Sequence, residues 1–531
     1  MVFTCDILDE INLAKAKTCE VIVTNGIKVP VSQIPDGIKI IDANKYRIEG
    51  SWHAYQEDEK ALQKIRELVP QLFVYKGFDL YPALLKSIYW TNFRQGYIDV
   101  ALEKCGLINQ ELINGDSGGI KDLVKDRILT TYYALSRGKE PHKKVPEMSG
   151  KSVKYLFVIE SVLLIQFWEK LIDQFPPNET GIFILAEREH IPKEMIDHFR
   201  ERGMSVFYEE VFPDIKPPFF NPFSVPGAYL PILKNLLKVW GGIVNFLENM
   251  LFFTQGDTRA IIVNAAENNF YGHILAQLRG KANFKVYNTM NGNKFATPNN
   301  SDAEFDAWFV WDEMLKDLLE KDCRLPVGQV VNIGGHLMQD KIKSHSYGHT
   351  LPLSDQQLEK MKIISFGSCR GRRKDKIDAL ETLYQWMKNN PDTILLYRPH
   401  PAEKREDFFL PEGELQKRVI LVEYNPDTIK QTLYDQLIIS HVMIALGSTV
   451  LLEAKWADLP AITFEQKETS FVYCVDEKYI WHCKTPDSLV ERVEGILSSP
   501  REIQLNRENR ESDEVARKYA DYMIKHSSIT N

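Results

Sequence analysis

Two short segments of this 531-residue chain carry side chains suited to holding a phosphate. Tyr397-Arg398-Pro399-His400-Pro401 brings a guanidinium and an imidazole. Leu446-Gly447-Ser448-Thr449 brings a glycine and two hydroxyls directly ahead of a helical pattern, Val450-Leu451-Leu452-Glu453-Ala454-Lys455-Trp456. The first N–H groups of a helix have no partner inside it, and its dipole is positive at that end, so an anion is stabilised there. Each segment follows an apolar run that reads as a buried strand, Thr393 to Tyr397 and Val442 to Leu446. The pair suits a nucleoside mono- or diphosphate donor.

Other strand ends extend the pattern. In open α/β sheets, ligands bind beyond the carboxyl ends of the strands. Ser368, Arg370 and Arg372 lie in the Gly367-to-Arg373 segment that follows the strand Met361 to Phe366. Arg370 to Lys374 taken alone is a solvated basic loop; beside the other two segments it becomes part of an anion-binding rim. Tyr424-Asn425-Pro426 and Glu465 also follow strands of this series.

An earlier series of strands ends in acids: Glu160 after Tyr155–Ile159, Glu187 and Glu189 after Ile182–Leu185, and Glu267 after Ala260–Asn264. Glu267 and Glu160 are the candidates for a general base or nucleophile. Each also reads as an acid at a helix start, where the dipole favours it. Asn291-Gly292 is a turn signal whose place after a strand also allows a sugar contact. His190 and His273 read as surface and helix residues. Trp308 to Glu313 reads as a helix start with Asp312 as cap. Glycines at Gly334-Gly335 permit a hinge, and His336 beside them could face a cleft.

These residues need a frame, and the hydrophobic pattern supplies one. From Lys154 onward, continuously apolar strands alternate with helices, which argues for parallel sheets covered on both faces. The expected arrangement is two doubly wound domains in tandem: an N-terminal domain over 1–330 with helical additions, a C-terminal domain over 331–505, and a C-terminal helix over 506–531. Before residue 150 the pattern offers one strand at Glu20–Thr24, a polar helix at Gln56–Val69 and a longer helix at Tyr81–Cys105. The apolar stretch Tyr229 to Thr254 reads as a pair of core helices, with a membrane-surface position as the competing reading.

Composition narrows the class. Hydrophobic content of 44% with 26% charged residues is the profile of a soluble globular protein. A net charge of −8 argues against a nucleic-acid partner. Seven cysteines without a Cys-x-x-Cys pair point away from zinc or a disulfide framework and toward a reducing cytosol. The N-terminal residues lack the pattern of a signal peptide.

Arg398-Pro399-His400-Pro401 paired with Gly447-Ser448-Thr449 resembles the His-Pro and Ser/Thr motifs of bacterial capsule and surface-polysaccharide glycosyltransferases of GT-B fold. It is most similar to the groups that transfer Kdo and sialic acid from CMP-sugars. Asn291-Gly292, Phe309 to Glu313, and Asn332 to Gly335 with Asp340 are similar to a pattern shared with CDP-glycerol phosphotransferases. The similarity covers about residues 150 to 500. It implies an α/β fold of two Rossmann-like domains facing a cleft, and sugar transfer without a metal ion or separate cofactor. The donor it implies is a nucleotide-sugar, with a CMP-sugar favoured. The acceptor is an oligosaccharide or lipid-linked glycan, and the location is cytoplasmic, with peripheral contact allowed at the inner face of the membrane. By position, His400, Ser448 and Thr449 hold the donor phosphate and Arg398 assists, with Pro401 and Gly447 in the same loops. Glu267 or Glu160 acts on the sugar or the acceptor. Asn291 stands where many relatives carry His, and Gly334-Gly335-His336 where they carry a Gly-Asn-Pro-like crossover. The alternatives are a CDP-polyol phosphotransferase, a catalytically silent nucleotide-sugar-binding assembly protein, and a two-domain UDP-sugar epimerase.

Overall fold

The computed structural model describes residues 1–27, 29, 33–108, 110–114, 153–160, 162–185, 191, 193–209, 215–264, 270–290, 305–323, 325–369, 373–400, 403, 405, 408–423, 429–465, 479–500, 503 and 513–527. Two compact units emerge, Met1–Gly334 with Arg517–Asn531, and Gly335–Ala516.

The first unit opens with a parallel sheet built from β1 (Val2–Cys5), β2 (Val21–Thr24), β3 (Lys39–Asp42) and, after a short hairpin of β4 (Val74–Tyr75) and β5 (Phe78–Asp79), β6 (Leu112–Asn114). Its order is β3-β2-β1-β6. The sequence pattern offered only β2 of these. Three or four residues per strand leave too short a stretch for periodicity to register, and Val2–Cys5 near the start is in fact β1.

Two long helices, Arg47–Leu68 and Tyr81–Lys104, lie beside this sheet. The first begins about two turns earlier than the expected Gln56. They cross antiparallel, closely enough that a Cβ on Gly50 would lie 2.6 Å from Tyr97 Cα and one on Gly96 would lie 2.8 Å from Ala54 Cβ. Only glycine fits at such a crossing. A third helix, Leu230–Thr254, runs unbroken where a pair was expected. Its buried face includes Leu233, Leu237, Trp240, Val244, Leu247 and Met250, and Trp240 Nε1 donates to Leu72 O at 2.8 Å. Among the described residues it is the one helix long and apolar enough to cross a membrane, and 56% of its apolar window is buried inside the protein. That burial is what a core helix requires.

The rest of the first unit is a seven-stranded parallel sheet: β7 (Tyr155–Ile159), β8 (Thr180–Ile184), β9 (Ser205–Tyr208), β10 (Ala260–Val263), β11 (Lys285–Asn288), β12 (Ala307–Val310) and β13 (Val330–Asn332). The order β13-β12-β11-β10-β7-β8-β9 winds outward in both directions from β7 and β10. Trp308 to Val310, expected to start a helix, belongs to β12; every residue of β12 is buried, and aromatic residues suit a strand between two covered faces. Asp312 does cap the helix that follows, accepting from Leu315 N at 2.8 Å. From Arg517 onward the last helix, Glu514–Ser527, belongs to this unit, with Tyr519 and Tyr522 rings 5.1 and 5.2 Å from Phe309 and Ser527 Oγ donating to Tyr287 Oη at 3.1 Å.

The second unit is a six-stranded parallel sheet of β14 (Lys362–Gly367), β15 (Thr393–Arg398), β16 (Val419–Leu421), β17 (Val442–Ala445), β18 (Ala461–Phe464) and β19 (Ile480–Cys483). The order is β16-β15-β14-β17-β18-β19. Both larger sheets are doubly wound and Rossmann-like, with the chain reversing direction across β7/β10 in one and β14/β17 in the other. The two faces of the six-stranded sheet carry separate buried clusters: Ile364, Phe366, Leu395, Tyr397, Ile444 and Phe464 on one, and Ile363, Ile394, Leu396 and Ile439 on the other.

Candidate functional site

The reversal between β14 and β17 is where an open α/β sheet leaves a crevice at its carboxyl edge. Gly367 ends β14, and a Cβ there would lie 3.4 Å from Val450 Cγ1, so the strand end packs against the first turn of the helix Val450–Trp456. Across the reversal, Gly447 takes a left-handed φ of +62° and donates its N–H to Thr463 Oγ1 at 3.3 Å. The turn carries Ser448, half-buried, and Thr449, exposed, to the helix start. Ser448 Oγ accepts from Val450 N at 3.4 Å, while the Thr449 side chain makes no capping bond. Gly-Ser-Thr therefore sits at a strand-to-helix turn, as expected from the sequence.

β15 is the neighbour of β14, and its end carries the other segment. Ser368 N donates to Arg398 O at 2.9 Å, which ties the two strand ends together. Arg398 is half-buried; burial lowers its guanidinium from the usual value, and the buried Glu453 carboxylate works against that shift. Glu453 thus offsets part of the charge that the sequence assigned to a phosphate.

His400 begins a turn that sequence reasoning left unexplained. Glu403 N donates to His400 O at 2.8 Å, and Glu403 Oε2 accepts from His400 N at 3.0 Å. Glu403 Oε1 accepts from Ser368 Oγ at 2.8 Å and from Lys376 Nζ at 2.9 Å. The Lys376–Glu403 pair is buried, with side-chain exposures of 4% and 8%. Ser368, expected among the donor contacts, gives its hydroxyl proton to Glu403. A carboxylate three residues after the first residue of a turn is the second half of a capping box, so the His-Pro-x-Glu spacing contained a readable signal.

In the first unit, the reversal between β7 and β10 gathers other polar groups. Glu160 directly follows β7 and is half-buried. Asn264 directly follows β10; it is 7% exposed, and its Nδ2 has no hydrogen-bond partner among the described residues. Thr289, after β11, accepts from Trp168 Nε1 at 2.8 Å and is fully buried. Glu267, Asn291 and Gly292 lie outside the described residues, as do Arg370, Arg372, Pro401, Glu187, Glu189, His190 and Tyr424 to Pro426. His273 is a buried helix residue. His336 is also buried; it caps the helix Leu337–Ser344 through Nδ1 and stacks on Trp456 with ring centroids 4.4 Å apart. It does not reach an open surface.

Glu465, at the end of β18, is fully buried, and its carbonyl contacts His482 Nε2 at 3.0 Å. Asp435, equally buried, accepts from His345 Nε2, Gly348 N and both Thr350 N and Thr350 Oγ1 at 2.7 to 2.9 Å. Burial works to raise its carboxyl, yet the hydrogen bonds outweigh burial and hold it below the usual value. The Asp435 carboxylate thus has its structural partners in place. Among the described residues, no group of three or more His, Cys, Asp or Glu is arranged to hold a metal ion.

No protein-family model matches the chain, and no curated protein matches it in sequence. Among solved structures it is similar to the UDP-GlcNAc 2-epimerase of Neisseria meningitidis bound to UDP-GlcNAc, at 13% identity, over 70% of this chain and 100% of that one, with a TM-score of 0.46. The UDP-GlcNAc 2-epimerase of Methanocaldococcus jannaschii is similar at 12% identity over 70% and 99%, with a TM-score of 0.46. A glycosyltransferase from Rickettsia africae is similar at 12% identity over 71% and 93%, with a TM-score of 0.40. With TM-scores below 0.5, the fold rests on the strand order within each sheet rather than on these likenesses.

Proposed function

We propose that the chain is a sugar transferase that binds a nucleotide-sugar at the carboxyl edge of the six-stranded sheet. One observation carries this reading: Gly447-Ser448-Thr449 and the His400 turn end neighbouring strands on the two sides of β14, at the reversal of a doubly wound sheet. In this reading His400, Ser448 and Thr449 hold the donor phosphates. Thr449 is exposed and makes no capping bond, so its hydroxyl is available to an anion. Arg398 assists weakly, because Glu453 offsets its charge. Arg370 and Arg372, which follow β14 in the sequence, add positive charge for the phosphates, and Ser368 orients Glu403 rather than donating to phosphate. Glu267 or Glu160 acts as base or nucleophile, and Asn291-Gly292 contacts the sugar.

The finer reading is a CMP-activated acidic sugar such as Kdo, transferred to a surface glycan on the cytoplasmic side. Membrane contact, if made, falls to Phe219 and Phe223, 83% and 68% exposed just ahead of the buried helix Leu230–Thr254. The test is calorimetry with CMP, CDP, UDP, UDP-sugars and GDP on the wild type, His400→Ala and Ser448→Ala/Thr449→Ala. Each lost contact to phosphate should weaken the bound nucleotide by about 1 to 3 kcal/mol, roughly 5- to 150-fold, with unchanged circular dichroism. Wild-type affinity in both variants would refute the site. With donor and acceptor present, release of CMP with sugar transfer separates a glycosyltransferase from a polyol-phosphate transferase. Conversion of the sugar without acceptor would make the chain an epimerase.

A further inference from the structure

We propose that Glu403 is a positioning residue for His400, held in place by Lys376 and Ser368; this rests on the reading of His400 as a phosphate-binding side chain. The argument begins with what the His400 backbone can do. Its N–H is committed to Glu403 Oε2 at 3.0 Å and its carbonyl to Glu403 N at 2.8 Å. The N–H, the one main-chain group that could donate to a phosphate, is therefore taken, so any bond from His400 to a phosphate comes from the imidazole. The turn closes on itself at both ends, which fixes where that imidazole starts from.

A turn closed only by its own backbone would still tilt as a unit on the end of β15. The Glu403 carboxylate removes that freedom. Its other oxygen is held by Ser368 Oγ at 2.8 Å, from the end of β14, and by Lys376 Nζ at 2.9 Å, from the helix Arg373–Asn389. One carboxylate therefore joins three elements at the strand edge. Both charges of the pair are almost wholly removed from water. Replacing such a pair by apolar side chains of similar size is often neutral for stability. A purely structural account therefore gives no special reason for an ion pair bonded to the His400 main chain, whereas a positioning role does: charged hydrogen bonds are directional, and apolar packing is not.

Because Glu403 acts through His400, the two should be strongly non-additive in nucleotide binding. The experiment is a double-mutant cycle read by calorimetry with UDP and, if UDP does not bind, with CMP. The variants are His400→Ala, Lys376→Met/Glu403→Leu, and the triple combination, with thermal unfolding measured alongside. The expected result is a loss of affinity of tenfold or more in Lys376→Met/Glu403→Leu at near wild-type melting temperature. In the His400→Ala background the same pair should cost less than threefold. A full tenfold further loss in that background, or wild-type affinity in the folded Lys376→Met/Glu403→Leu protein, would overturn the proposal while leaving the site intact. If His400→Ala itself binds normally, or neither nucleotide binds the wild type, the reading of the site fails and this proposal falls with it. Should Lys376→Met/Glu403→Leu not fold, Glu403→Gln takes its place. It keeps an acceptor for His400 N but loses the charge that Lys376 fixes, and it should cost about threefold alone and nothing in the His400→Ala background.

Discussion

Replacing Asp58 by Asn should stabilise the first unit at neutral and basic pH and do nothing in acid. Asp58 lies on the helix Arg47–Leu68 where it crosses Tyr81–Lys104, and it is 5% exposed. Asn92 Nδ2 donates to its Oδ1 at 2.9 Å, but Oδ2 has no hydrogen-bond partner among the described residues. Burial pushes its pKa from 3.8 up to about 6; the Asn92 bond pulls the other way, and Glu57 adds a smaller push upward. The folded state thus holds a proton that the unfolded chain releases. Well below pH 4 both states are protonated and the site costs nothing. As pH rises to about 6 the unfolded chain ionises first, and the folded state loses stability across that interval. Above it the loss is complete, and a shift of about 2 units corresponds to about 3 kcal/mol. Asn at this position keeps the acceptor for Asn92 and carries no charge to bury. Urea unfolding of wild type and Asp58→Asn from pH 4 to 8 should give a stability difference near zero at the acid end, rising to about 2 to 3 kcal/mol in favour of the variant at pH 8. A flat difference across that range, or a wild type that is the more stable at pH 8, would refute the argument that burial dominates at Asp58.

The same helix crossing makes Gly96→Ala severe: a Cβ there meets Gly50 O and Ala54, both on the facing helix, so we expect a loss of about 3 kcal/mol or more in urea unfolding. Loss under 1 kcal/mol would mean that the helices part easily. For catalysis, Glu267→Gln should keep nucleotide affinity and lower turnover by about two orders of magnitude, the usual size of a general-base contribution. Near-normal turnover there with a collapse in Glu160→Gln would transfer the role to Glu160, and normal turnover in both would leave neither as the catalytic base or nucleophile.

Several features were legible in the sequence because they depend on local rules. β14, β15, β17 and β18 are apolar on both faces and lie near their expected bounds, since a strand covered on both sides has no polar alternation to blur the signal. The Gly447 turn was readable for a similar reason: glycine ahead of two hydroxyl residues and a helical run fits a left-handed turn that few other residues adopt. What needed tertiary structure were the properties set by distant residues. β1, β3 and β6 are too short to show a period and exist because they pair with β2 or with each other. Trp308 to Val310 carries no period that separates strand from helix, and pairing with β13 decides it. At the candidate site the sequence supplied His400, but the burial of Lys376 against Glu403 brings together residues 27 apart. Glu453 beside Arg398 likewise comes from a different strand-helix turn. Residue types and their spacing determined which groups could meet a phosphate. Only the packing of strand ends decided which of them already have partners, because burial and charge pairing depend on neighbours that the linear order does not reveal.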